Sequence, residues 1–425
     1  VRPTAFLTSP QTDETIRRGQ IRRLMLFFAL IYIVEGLGQT GGLIAQPLSY
    51  FLKEQYGWTP IEVTAYLSVL NFPWIIKPVY GIVSDFVPLF GYRRKAYLII
   101  VNAVAALAYF WAVRTTEPGA LIVVLLVTAY TMAASSTLSG AVLVENGQRL
   151  GASDSFVNQE WLWFNVAAMA SALLGGVLVE RLSPEGALHV AAAIAGLSPL
   201  AAVLGTFFLI REAKSPVDIA QIKETFAGLV AAFKRREVWL VGGFLFLYYF
   251  NPGFGTPLYY YMTDQLKFSQ QFIGVMNAVF SAGWIVGALC YRWCLEGMKS
   301  QNLLYLSIAV GTATTLAFVL LRDETTALVL NFLIGIAGMM GMVASLTLAV
   351  DFCPKRAEGF TFAALVSLTN LAMVLGDNIG SFLYQRVFAN QLTPLIVVSA
   401  AMTAIAAPFV PLLRLGAKRH GESVA

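Results

Sequence analysis

Lys77 is a lone ammonium in an apolar stretch, Asn71-Phe-Pro73-Trp74-Ile-Ile-Lys77-Pro78, and the chemistry it offers is the holding of an anion. It precedes the polar turn at Asp85 by about seven or eight residues, which at 1.5 Å per residue puts it ~11 Å inside a membrane helix. An ammonium at that depth costs a few kcal/mol, so it should face a bundle interior, a water-filled cavity or a counter-charge. The alternative is that its long stem carries the head out to the headgroups. Glu35 is the acidic residue nearest the middle of the expected cavity. It is either a structural partner of Lys77 or a protonatable coupling group, whose proton affinity is set by burial against the neighbouring cation. Gln39, Asn165, Asn251 and Asn370 add amide partners, and Trp74 and Trp163 add aromatic faces. Asp377 is a second candidate for proton coupling. The charged hairpin that follows, Asp85 with Arg93 and Arg94, is either a gating latch or plain topology charge.

These residues need apolar helices to position them. Of 425 residues, 57% are hydrophobic and 12% charged, and the mean hydropathy is +0.68, far from the balance of a water-soluble domain. Apolar runs long enough to cross a hydrocarbon core of ~30 Å fall at 24–47, 60–84, 96–113, 119–143, 156–180 and 187–210. Six more follow at 237–262, 270–295, 303–321, 326–350, 359–384 and 393–414. The pattern predicts an all-α membrane protein of twelve transmembrane helices, with both termini on one side.

Of the 29 Lys and Arg residues, twenty-two lie at the termini or in the loops on their side, and only six in the opposite loops. The positive-inside rule therefore predicts cytoplasmic termini. The basic pI needs no nucleic-acid partner to explain it. The longest polar interruption separates six spans from six. The predicted organisation is a cytoplasmic segment 1–23, a six-helix bundle 24–210, a linker 211–236, a second bundle 237–414 and a tail 415–425. Within the linker, Ile219, Ile222, Phe226, Leu229 and Phe233 recur at helical spacing, which predicts an amphipathic interfacial helix.

The halves are alike. Val144-Glu145 after the fourth span parallels Val350-Asp351 after the tenth, and Asn165 in the fifth parallels Asn370 in the eleventh. A parallel repeat of six spans is the architecture of the major facilitator fold, in which two pseudo-symmetric bundles rock about a midplane site. In that fold the third helix of each triplet packs outside. Apart from Arg414 at the very end of the twelfth, spans three, six, nine and twelve accordingly carry only Asn102 among Asp, Glu, Lys, Arg, Asn and Gln, while the other eight carry the rest. Counting from the termini side, Lys77 and Asn165 lie at ~11 and ~14 Å, Glu35 and Asn370 at ~17 Å, and Asn251 and Gln39 at ~21–23 Å. Glu160 at ~6 Å and Asp377 at ~27 Å fall toward opposite mouths.

Other chemistries are excluded by context. Gly36-Leu-Gly38-Gln-Thr-Gly41 fits a dinucleotide fingerprint but lies inside a membrane span rather than after a strand. There is no P-loop and no nucleophile elbow. With His189 and His420 the only histidines, a His-rich metal site or hydrolytic triad is not expected. Cys290, Cys294 and Cys353 fall near the termini side and imply no disulfide framework. The chain is not expected to be an enzyme or to bind a cofactor, metal or nucleic acid.

The run Pro73-Trp74-Ile-Ile-Lys77-Pro78-Val-Tyr80-Gly81-Ile-Val-Ser84-Asp85, followed by Pro88, Gly91-Tyr92-Arg93-Arg94 and Tyr97-Leu98, resembles the signature of the folate-biopterin transporter family. The resemblance extends to Tyr50-Phe-Leu-Lys53, to Asn251-Pro252 through Tyr261, and to Cys353-Pro354 through Asn370. It implies a major-facilitator relative that moves folate or a related pterin by alternating access, with protons as the coupling partner. It also implies residence as a monomer in a cyanobacterial-type plasma membrane or a plastid envelope. Two departures touch the expected cavity: Glu35 stands where the family suggests Gln, and Ser139-Gly140 where it suggests an Asp. A folate-like anion, with its planar pterin and glutamate carboxylates, suits Lys77 and the amide and aromatic set above. The alternatives are a transporter of the same fold for another amphipathic organic anion, and a non-transporting membrane assembly factor.

Overall fold

The computed structural model describes residues 10–214, 234–295, 297–352 and 358–413. The expected linker helix falls outside them. The first half comprises α1 (Pro10–Gly38), α2 (Ala45–Tyr50), α3 (Pro60–Ile75), α4 (Lys77–Phe86), α5 (Lys95–Ala112), α6 (Pro118–Leu150), α7 (Ser153–Arg181) and α8 (Pro184–Leu209). The second comprises α9 (Arg236–Tyr249), α10 (Gly255–Asp264), α11 (Gln270–Cys290), α12 (Ser300–Ala317), α13 (Glu324–Phe352), α14 (Glu358–Phe382) and α15 (Leu392–Ile405). By length and composition, ten helical segments among the described residues can cross a membrane, so this is an all-α membrane protein.

Three expected continuous spans are interrupted, each for a local reason. The first stops at Gly38 and restarts at Ala45, where Gly36, Gly38, Gly41 and Gly42 weaken the helix. The carbonyls bared there find side chains: Tyr109 donates to the Gly38 oxygen, and Ser171 to that of Gly36 at 3.1 Å. The second breaks at Ile76, between Pro73 and Pro78. The seventh breaks between α9 and α10 at Asn251-Pro252-Gly253. That segment docks on α14, where Gly253 N–H donates to the Gly376 carbonyl at 3.1 Å and the Gly253 carbonyl lies against Gly380. Any Cβ at Gly380 would collide with this backbone.

Packing repeats between the halves. In the first, α5 packs against α6 and α8; in the second, α12 packs against α13 and α15. The halves meet along two seams, α7 on α11 and α3–α4 on α14. At the first seam Gly176 and Gly274 bring the backbones together, and a Cβ on Gly274 would sit 2.5 Å from the Ala172 carbonyl oxygen.

The buried core shows how the halves are disposed. At the face opposite the start of α1, one apolar cluster runs across both halves, joining Leu48, Phe51 and Tyr66 to Tyr259, Tyr260, Ile273 and Tyr384. Toward the start of α1 it divides. One cluster around Phe27, Phe28 and Phe156 belongs to the first half, and another around Phe244, Leu304 and Leu348 belongs to the second. On the termini side the buried core is thus divided between the halves.

Candidate functional site

Lys77 opens α4, immediately after the break at Ile76. Pro78 has no N–H, so the carbonyl of Trp74, four residues earlier, loses its helical partner. The side chain of Asn370, from α14 in the other half, donates to that carbonyl at 2.9 Å. Tyr80 donates to the Pro73 carbonyl at 3.0 Å and repairs the other side of the break. The break thus leaves backbone acceptors that side chains satisfy, and the Asn370 bond ties the halves together.

The Lys77 ammonium sits 4.5 Å over the Trp74 ring, a cation–π contact, and donates to the Ser136 hydroxyl at 3.4 Å. Ser136, on α6, donates in turn to Glu35 at 2.8 Å. The expected pairing of Lys77 and Glu35 is therefore relayed through a hydroxyl. One Glu35 oxygen accepts from Ser136, and the other has no hydrogen-bond partner among the described residues. Glu35, Lys77, Trp74 and Asn370 all remain partly accessible.

The remaining expected ligands are placed differently. Asn165 is buried and donates to the Trp161 carbonyl of its own helix at 2.7 Å. Trp163 donates to Gln159 at 2.7 Å and packs with the first-half core. These two turn into their own bundle because a carbonyl or amide one helical turn back satisfies each. Asn251 lies at the α9–α10 break, its amide 3.3 Å from Thr403. Gln39 lies in the glycine-rich turn after α1, and Asp377 is exposed beside Gly253, on the far side of the break from Lys77.

Asp85, Arg93 and Arg94 form a charge cluster within the first half. Buried Arg94 reaches Asp85 at 2.5 Å, Glu145 at 2.9 Å and the hydroxyl of Ser84. Glu212, just past α8, accepts from the backbone N–H groups of Arg93, Arg94 and Lys95 at 2.7–3.2 Å, completing the open amides at the start of α5. The contacts of Arg94 join α4, α5 and α6. Among the described residues these contacts of Arg94 stay inside the first half.

Bridges between halves gather at the opposite face. Lys53 donates to Thr263 at 2.6 Å and pairs with Asp264, its ammonium 4.9 Å over the Tyr260 ring. Gln46 donates to the Gln270 carbonyl at 2.8 Å, Tyr260 to the Trp58 carbonyl at 2.5 Å, and Asn378 to Ser68 at 2.6 Å. Thr64 and Ser381 share a hydrogen bond at 2.7 Å. These run from the surface down to the Asn370–Trp74 contact.

Sequence reasoning missed Ser136 and underrated Glu160. Ser136 sits in a run of small residues, Ala133-Ala-Ser-Ser136-Thr, where nothing marks one hydroxyl as special. Glu160 seemed too shallow because depth was counted from the end of its own span. The stagger of α7 against α1 instead brings it beside Tyr32 and within the electrostatic reach of Glu35 and Lys77.

Comparison with known proteins places these features in a family. A model of the BT1 family matches residues 37–420. The chain is 28% identical to a folate-biopterin transporter of Synechocystis sp., over 92% of this chain and 82% of the relative. It is 24% identical to folate transporter 1 of Plasmodium falciparum, over 79% and 68% respectively. Among solved structures, the nucleoside transporter NupG in its D323A form aligns with a TM-score of 0.72 at 16% identity, covering 92% of this chain and 99% of NupG. An auto-inhibited POT family peptide transporter aligns at 0.70 with 10% identity, covering 92% and 96%. These structural likenesses establish a fold like that of the major facilitator proteins. A membrane transporter rather than an enzyme or an assembly factor, the chain belongs to the BT1 folate-biopterin transporter family.

Proposed function

We propose that this transporter moves folate or a related pterin anion by alternating access, with proton coupling at the Glu35–Lys77 cluster. The observation that carries the reading is the Lys77–Ser136–Glu35 relay beside Trp74, at the fork of the core where the two halves part. An ammonium over an indole offers a carboxylate a cation and a planar ring an aromatic face. The curated relatives named above are folate or folate-biopterin transporters, which supports the substrate class.

The architecture in this proposal has twelve spans. Ten are those long, apolar helices; α1 and the broken α9–α10 pair supply the other two. Two pseudo-symmetric bundles, 24–210 and 237–414, then rock about the seams. With the termini cytoplasmic by the positive-inside rule, bonds at Lys53, Gln46 and Ser68 close the outer face and a cleft opens inward. Substrate competing with Glu35 for the Lys77 ammonium would leave the carboxylate in need of a proton, which links anion entry to proton entry.

The test is uptake of radiolabelled folate into proteoliposomes with and without an inward proton gradient. The proposal expects saturable uptake that rises with the gradient. Absence of folate and biopterin uptake by active, correctly inserted protein overturns the substrate assignment. Uptake indifferent to the gradient overturns the coupling.

A further inference from the structure

Helices α1 and α7 run side by side, and two contacts fix their register. The Phe28 ring packs on Phe156 with centroids 4.9 Å apart. Eight residues on, Gly36 lies against the Phe164 carbonyl and Ala167, where any Cβ would collide. Between these two points the register sets Tyr32 level with Glu160, about one helical turn from Glu35. The charged and titratable groups that reach Glu160 are Tyr32 and Glu35 from α1 and Lys77 from α4. Helix α6 presents hydroxyls, Ser136 toward Glu35 and Ser139 toward Tyr32. From the other half α11 presents Trp284, whose ring stacks on that of Trp161 at 6.4 Å.

Two carboxylates thus lie within electrostatic reach of one ammonium. We propose that Glu160 is the second member of a proton-sharing pair with Glu35, and that the empty transporter holds one proton between them. Charge decides this. With both carboxylates ionised the cluster carries a net negative charge in a poorly solvated site; with one protonated it is neutral. Such a pair titrates as a unit, so the proton belongs to both residues. A bound carboxylate then brings a second negative charge, and the cluster regains neutrality by taking one proton from solution onto the other carboxyl. Glu160 sits beside the Trp161–Trp284 contact, one of the places where the halves touch on the side of the fork nearer the termini. Its exposure to that aqueous side therefore changes as the halves rock.

The inference deepens the proposed coupling, yet its test needs no substrate. Infrared pH-difference spectra of purified protein in lipid, in an Asp377→Asn background to remove that carboxyl, should show one protonated carboxyl near neutral pH. Glu160→Gln should abolish it, because Glu35 alone balances Lys77, and Glu35→Gln should abolish it for the mirror reason. Lys77→Gln should instead double it. A spectrum unchanged by Glu160→Gln, or a signal that survives in Glu35→Gln, overturns the shared proton. Failure of folate uptake with these spectra as expected would sink the substrate assignment and leave the pair standing.

Discussion

Lys77 and Glu35 meet through Ser136, which accepts from the ammonium at 3.4 Å and donates to the carboxylate at 2.8 Å. A hydroxyl between opposite charges keeps both in place without locking them into a tight pair, so an incoming anion can take the ammonium without breaking a direct ion pair. Ser136→Ala should leave the fold intact and weaken transport. Hydrogen bonds to charged groups contribute about 1.5–3 kcal/mol, so the ratio kcat/KM for uptake should fall by roughly 10- to 100-fold. Uptake kinetics in proteoliposomes check this, and Ser136→Thr, which keeps the hydroxyl, should recover most of the activity.

Lys53 holds the opposite face closed. Its side chain is 11% exposed, whereas that of its partner Asp264 is 54% exposed. Half-exposed pairs contribute about 1 kcal/mol or less, so Lys53→Ala should shift the balance of states by only a few-fold toward opening at that face. The readout is labelling of Ser68→Cys by a membrane-impermeant reagent, with the three native cysteines replaced. Faster labelling is expected, and the exchange Lys53→Asp with Asp264→Lys should return it toward the original rate.

Gly274 permits the close crossing of α7 and α11. In Gly274→Val the added side chain meets the Ala172 carbonyl and the Gly176 backbone, neither of which can move aside cheaply. The variant should fail to close at this seam, with Ser68→Cys labelled faster than in any Lys53 variant and uptake reduced at least roughly tenfold, the scale of the ~1–3 kcal/mol that overpacking costs.

Arg94 is 6% exposed and serves Asp85, Glu145 and Ser84 at once. Its carboxylate partners are 44% and 54% exposed, so each pair contributes about 1 kcal/mol or less. Arg94→Ala should therefore lower the melting temperature and the folded yield modestly, while Ser68→Cys labelling of the surviving folded fraction stays unchanged. A latch between halves would give the reverse pattern, altered labelling at normal stability.

Much of the fold was legible because lipid imposes a simple rule. Backbone groups must be satisfied within the helix, and polar side chains must face away from lipid. Hence the run lengths located the membrane-crossing helices. Helix breaks were harder to place. Pro73 and Pro78 announce a bend, but only the fold shows that Asn370 answers the carbonyl that Pro78 leaves open. Asn165 and Trp163 illustrate the limit of depth arguments, because depth says nothing of rotation about the helix axis. Both lie at a suitable height and bond back to their own helix. Glu160 shows the complementary error, since relative depth depends on how neighbouring helices are staggered, which is a property of packing at Phe28–Phe156 and Gly36.

The central claim is that Lys77 receives the anionic end of the substrate. Calorimetric titration of folate into purified wild type and Lys77→Ala tests it most directly. Removing one partner of a buried charge pair costs about 2–5 kcal/mol, so the account predicts saturable binding by the wild type that is weakened at least ~30-fold in Lys77→Ala. Equal affinity in the two proteins would contradict it.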